Sequence, residues 1–301
     1  MLMRKKKLIL NTICSIMYQI VAIVCGFILP RLILKHYHSE INGLVNSITQ
    51  FLQIISVLDL GVGSVVQSYL YKPLAEKNND QISRIFKSAK RFFDNIAKIL
   101  IIYICLLPIL FRYVVSTNFS FIYIAGLIFS ISISYLAQYF FGIVNQLLVT
   151  ADQMGFIQYL VQTMTLIINT FVCSILIKKG CSIHIVKLTT SAIFLIRPIV
   201  LTIFVHKHYN IDYNVELLEE PMKQKWNGLA QHLAAVVLDS TDTIVLTLFA
   251  SLVDVSIYST YFLVIHGVRQ LIQIATNGVQ SFLGNIVASD DKNEKTSLLP
   301  Y

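Results

Sequence analysis

One stretch limits what this chain can become. Leu44 to Pro73, LVNSITQFLQIISVLDLGVGSVVQSYLYKP, is long and mostly apolar. It has the length a helix needs to cross a hydrocarbon core of roughly 30 Å at about 1.5 Å per residue. It is also dotted with polar groups at helical steps: Asn46, Gln50, Gln53, Ser64 and Gln67 keep to one face, with Val57 and Leu60 filling the gap. Asp59 sits near the middle, ahead of Gly61-Val62-Gly63, which loosens the helix there. A carboxylate at that depth costs about 2.5–3.5 kcal/mol, so it faces a bundle interior, a wet cavity or a partner. Two readings are open: a packed helix whose amides bond to its neighbours, or a helix lining a polar path through a membrane protein.

Composition places the rest of the chain in the same setting. Hydrophobic residues make up 55% and charged residues 13%, against roughly 25% charged in soluble domains. The net charge of +8 is then read as cytoplasmic loops rich in Lys and Arg, not as a nucleic-acid footprint. No nucleic-acid partner is expected. Cys14, Cys25, Cys105, Cys173 and Cys181 are scattered without C-x-x-C or Cys/His ligand spacing, so neither a disulfide framework nor a metal site is expected.

Taken in order, the chain alternates apolar runs and polar connections. Arg4, Lys5, Lys6 and Lys7 precede an apolar run from Leu8 to Leu34. That run is too long for a signal-peptide core and has no small-residue cleavage site; it reads as an uncleaved first span. A short loop, Lys35 to Gly43, leads into the Leu44–Pro73 helix. Lys72 to Phe93 places six cations among Ile82, Ile85, Phe86 and Ala89 at helical spacing, the pattern of an amphipathic helix on the inner membrane surface or of a basic cytoplasmic loop.

Further spans follow at Ile96–Tyr113 (with Pro108 inside), Phe119–Val149, Phe156–Ile177, Ile183–Val205, Leu229–Ala250 and Val255–Val287. The polar connection His206 to Trp226 is the best boundary between halves. The expected organisation is a six-helix lobe over 1–205, a cytoplasmic linker over 206–228, the first two helices of a second lobe over 229–288, and a polar tail over 289–301. Fifteen Lys and Arg fall on the N-terminal side of the membrane, against Lys35, Arg112, Lys178, Lys179 and Lys187 in the outer loops. This asymmetry predicts a cytoplasmic N-terminus. The fold class is all-α: a polytopic membrane bundle of about eight transmembrane helices.

Four spans carry amide stripes. The second has the face described above, and the fourth has Ser134, Gln138, Gly142 and Asn145. The fifth has Gln158, Gln162, Thr165 and Asn169, stepping by four, three and four; the eighth has His266, Gln270, Gln273, Asn277, Gln280 and Gly284. One stripe is explained by helix-to-helix hydrogen bonding. Four point to a shared hydrated cavity suited to a polyhydroxylated ligand. Gln50, Gln53, Gln138, Gln162, His266, Gln273 and Asn277 are the candidate binding residues. Arg31, Arg197 and Arg269 add fixed positive charge near membrane depth, suited to gripping phosphate or pairing with a membrane carboxylate. Asp59, Asp239 and Asp242 are candidate partners for those arginines or a site for a coupling cation or proton. No nucleotide loop, no Walker A sequence and no H-E-x-x-H motif is present, so neither an enzyme nor a cofactor is expected.

The segments FILPRLIL, INGLVNSITQFL, LDLGVGS, LYKPLAE, LLVTADQ, STDTIVL and VSIYSTY together resemble the Wzx-type polysaccharide flippases of the multidrug/oligosaccharidyl-lipid/polysaccharide exporter superfamily, in order from about Asn11 to Ala288. The resemblance implies two helical lobes around a cationic central cavity in a bacterial cytoplasmic membrane. The cargo would be undecaprenyl-pyrophosphate-linked oligosaccharide, moved from the inner to the outer leaflet. Implied partners are that lipid-linked oligosaccharide, membrane lipids, and a polysaccharide polymerase or glycosyltransferases. On this chain the cationic cavity would be supplied by Arg31, Arg197 and Arg269. Members of the family usually have more helices than the eight read here, so the chain is expected to be a C-terminally truncated form with a partial second lobe. The alternatives are a cation-coupled multidrug antiporter of the same superfamily and a non-transporting scaffold for glycan-assembly enzymes.

Overall fold

The computed structural model of the chain describes residues 2–55, 61–115, 119–215 and 241–288. Nearly all of these are helical, and no strand occurs among them. That follows from the solvent, because backbone groups in hydrocarbon must be satisfied within their own segment. The helices are α1 (Leu2–Gln53), α2 (Val62–Glu76), α3 (Asn79–Val114), α4 (Phe121–Ala137), α5 (Ile143–Ala151), α6 (Gly155–Lys178), α7 (Ile183–Phe194), α8 (Ile196–His208), α9 (residues 241–249) and α10 (Leu252–Ala288). Among the described residues, five stretches are long and apolar enough to cross a membrane: Ile9–Gln53, Asn79–Tyr113, Phe121–Ala151, Gly155–Lys178 and Ile183–His208. The chain is a multi-pass helical membrane protein. Met1–Ser259 form one compact unit and Thr260–Tyr301 another.

The local chemistry departs from the sequence expectations in five places. The expected loop Lys35–Gly43 contracts to a single break in α1 at His38, whose φ of 66° lies in the left-handed region. The expected single span Leu44–Pro73 is two pieces: α1 ends at Gln53, and α2 restarts at Val62 after Gly61, which takes φ 70°. Only glycine adopts that conformation without a Cβ penalty. The surface helix Lys72–Phe93 and the span Ile96–Tyr113 are one 36-residue helix, α3, started by the Asn78 side chain accepting from the Gln81 amide. Nothing between Arg91 and Ile96 breaks a helix, so none forms a boundary. The fourth span contains a π turn at Gln138–Gly142 between α4 and α5, and the sixth bends at Leu195 between α7 and α8.

Within the first unit the helices run up and down between two ends. At one end Lys7 Nζ donates to the Asp152 carbonyl at 3.0 Å, and the Tyr209 hydroxyl donates to the Asp152 carboxylate at 2.9 Å. At the other, the Tyr37 hydroxyl donates to the Cys181 carbonyl, and His184 lies edge-on to Tyr123. Lys72, Lys77, Arg84, Lys87, Lys90 and Arg91 belong to the first end, near the start of α3.

Lipid tails are as apolar as leucine, so contact in the membrane is secured by close packing and hydrogen bonds between helices. Asn42 Nδ2 donates to Ser256 Oγ at 2.8 Å, the Ser47 and Thr247 hydroxyls lie 2.8 Å apart, and the Tyr103 hydroxyl donates to the Phe51 carbonyl at 2.8 Å. Gly43 lets the backbones touch, since a Cβ there would collide with the Leu252 carbonyl oxygen. Each such bond contributes roughly 0.6–1.7 kcal/mol.

Candidate functional site: a cationic, amide-lined cavity

α6 is inside out. Thr165 and Asn169 are each 2% exposed and Gln158 is buried, whereas Met164 and Phe171 are 65% and 67% exposed. A water-soluble protein buries the second set and exposes the first. Here the outward face meets lipid, and the inward polar face opens on a cavity of about 380 Å³ lined also by α1, α4, the π turn, α5, α7 and α8. Its polar groups are Thr49, Ser134, Tyr135, Gln138, Gln146, Gln158, Gln162, Lys187, Thr190, Ser191 and Arg197. No carboxylate is among the described lining residues.

Arg197 is held from two sides. Its Nε donates to Thr165 Oγ1 at 2.8 Å, and its guanidinium carbon lies 3.8 Å from the centre of the Phe194 ring. Stacking on an aromatic face and one neutral hydrogen bond fix the plane of the fork but leave its charge uncancelled. Lys187, one of the cavity residues on α7, also has no ion-pair partner among the described residues. Two cations therefore share one amide- and hydroxyl-rich chamber. This is a constellation for an anion, and the neutral donors and acceptors around it suit hydroxyl groups attached to that anion.

The π turn shapes the adjacent wall. A π turn carries one extra residue and frees backbone carbonyls from the α ladder. Those of Phe140 and Phe141 are taken by Lys90 Nζ at 3.1 Å and by Asn145 Nδ2 at 2.7 Å. The Thr202 hydroxyl lies 3.4 Å from the same Phe141 carbonyl and accepts from Asn145 at 2.9 Å. Gly142 leaves room for the Gln138 side chain, which a Cβ would strike at Oε1. Gln138 Nε2 in turn donates to Gln146 Oε1 at 3.0 Å. Two cavity amides are thus paired across the irregular turn.

Of the residues singled out from sequence, Gln138, Gln162 and Arg197 line this cavity. Gln53 is exposed and reaches the hydroxyl of Tyr135, a lining residue. Gln50 is next to Thr49 in the chain, and its Oε1 is sealed from solvent with no hydrogen-bond partner among the described residues. Arg31 is exposed on α1 and is not a lining residue. Asp242 accepts from the Tyr258 hydroxyl at 2.6 Å. Arg269 and His266 belong to the second unit, where both are exposed and His266 packs near Phe262. Gln273 and Asn277 lie on α10, but their side chains are outside the described residues, as are Asp59 and Asp239 altogether.

Lys187 was missed by sequence reasoning, which placed it in an outer loop. A signal was present. Lys187, Thr190, Phe194, Arg197 and Leu201 step by three, four, three and four, and all five line the cavity. Gln146 and the π turn had no comparable signal, because an extra residue in a helix shifts the face of everything after it.

Comparison with known proteins adds no identity: no family model, no curated protein and no solved structure matches the chain.

Proposed function

We propose that the chain takes part in moving a lipid-linked oligosaccharide, an undecaprenyl-pyrophosphate-linked repeat unit, across a bacterial cytoplasmic membrane, with its N-terminus in the cytoplasm. The observation that carries this reading is the cavity charge: Arg197 and Lys187 with no carboxylate among the described lining residues. A pyrophosphate would sit between the fork of Arg197 and the ammonium of Lys187, where charge-assisted hydrogen bonds are strongest. Sugar hydroxyls would exchange water for Gln138, Gln146, Gln158, Gln162 and the Thr190 and Ser191 hydroxyls. The prenyl tail would stay in lipid. The sequence resemblance to polysaccharide flippases supports the same assignment. A cation-coupled drug antiporter would need a carboxylate in this chamber, and none is among the described lining residues.

The test is surface-glycan export in a strain that depends on this protein, with protein level held equal. Arg197→Ala and Lys187→Ala lower export at least about tenfold, the loss of one charge-assisted contact of roughly 1.5–3 kcal/mol. Lys178→Ala, an exposed cation at the opposite end of α6 from Gly155, leaves it unchanged. Undiminished export in both cavity variants would overturn the proposal.

A further inference from the structure

A second cationic recess lies away from the cavity. The early turns of α3 form one wall of a crevice of about 880 Å³, and residues 211–213, just beyond α8, form the other. That second wall is tied down: the Asp212 amide donates to Ser83 Oγ at 2.9 Å, and the Tyr213 ring stands edge-on to Phe86 at 6.0 Å. Four cations and two carboxylates line the crevice: Lys87, Lys90, Arg91 and Lys98 against Asp94 and Asp212, whose Oδ1 accepts from the Asn214 amide at 2.8 Å. Lys90 neutralises Asp94 at 3.0 Å, and Lys87 spends its ammonium on the uncharged Val215 carbonyl at 2.7 Å. Arg91 and Lys98 are exposed and have no ion-pair partner among the described residues. Four cations against two carboxylates leave the recess with a net charge of +2.

What lies below the crevice names the ligand. Arg91, Asn95, Lys98, Ile102, Leu106 and Ile109 form one exposed row of α3 at steps of four, three, four, four and three. Its first half is basic and polar. Its second half is apolar and 46–61% exposed, as a surface against lipid tails must be. The row therefore crosses from headgroup level into hydrocarbon at Lys98. We propose that the crevice binds the phosphate headgroup of an anionic phospholipid, whose acyl chain runs down the Ile102–Leu106–Ile109 row. A free phosphate would satisfy the cations, but it would leave the continuous apolar half of the row without a role.

Native mass spectrometry of the full chain, purified in mild detergent and given phosphatidylglycerol, tests this. Arg91→Gln with Lys98→Gln removes the two free charges and leaves the bonds of Lys87 and Lys90 in place. Lys178→Gln with Lys179→Gln removes two exposed cations from the other end of the unit as a control, and circular dichroism checks helicity in both. The crevice variant retains about 25-fold less phosphatidylglycerol than wild type, since each of the two surface cations contributes about a factor of five; the control retains the wild-type amount. Equal retention in the two variants, or no retention by wild type, would overturn the site. Displacement of the lipid by inorganic phosphate would make this a soluble-anion site and overturn the lipid assignment.

Discussion

α3 and α6 both cross the membrane, and they solve opposite problems. From Phe93 onward α3 buries an apolar face, with Phe93, Leu100, Leu107 and Phe111 nearly or fully sealed. α6 buries Gln158, Thr165, Asn169 and Thr170, and sends its large apolar groups outward. In lipid both helices have the same apolar surround, so the difference lies in what each turns inward. α3 serves as packing material. α6 serves as the wall of a polar chamber, its hydroxyls and amides kept wet or paired as the membrane demands.

The largest expected effect separates these roles through stability. Phe111 is fully buried, with its ring 5.2 Å from Phe51 in an edge-on arrangement. Phe111→Ala opens a cavity in close-packed material and costs about 3–5 kcal/mol, measured by unfolding of the purified chain in detergent. The matching change in α6, Asn169→Leu, is expected to cost less than about 1 kcal/mol, because Asn169 Oδ1 accepts from the weak Cys173 thiol donor of its own helix at 3.2 Å and hydrogen bonds in membrane bundles average only about 0.6 kcal/mol. A loss from Asn169→Leu as large as that from Phe111→Ala would erase the contrast.

This contrast was readable in the sequence only for α6. Gln158, Gln162, Thr165 and Asn169 hold a strict helical step, and nothing in the helix disturbs it, so the stripe marked the inward face. The stripe of the fourth span mixed two roles. Gln138 faces the cavity, while Asn145 is consumed by the Phe141 carbonyl and Thr202, because the π turn between them resets the helical phase. Leu44–Pro73 misled by length alone. Its Gly61 makes a break where hydropathy shows a continuous run. Lys187 misled by type: a lysine near the end of an apolar run reads as a loop cation until the row it shares with Arg197 is followed.

A smaller effect sharpens the picture at the Lys7 end of the unit. Burial, reinforced by the Asp152 carboxylate, raises the Tyr209 phenol above its ordinary value. The protonated phenol is the form the folded state favours. Its contribution is therefore fully present below the unfolded value of about 10 and declines as pH rises beyond it. Tyr209→Phe lowers stability by about 1 kcal/mol at neutral pH and flattens that alkaline decline. An unchanged alkaline profile would show that this hydroxyl does not secure α8 to the α5–α6 turn.

The most direct measurement is thiol accessibility along α6 in a cysteine-free background of the full chain in membranes. Gln162→Cys is expected to react readily with a charged, membrane-impermeant thiol reagent, whereas Ile168→Cys on the lipid face and Leu100→Cys in the α3 core stay unreactive. If Gln162→Cys proved as inert as the other two, α6 would enclose no aqueous chamber, and the cationic cavity could not receive a charged cargo.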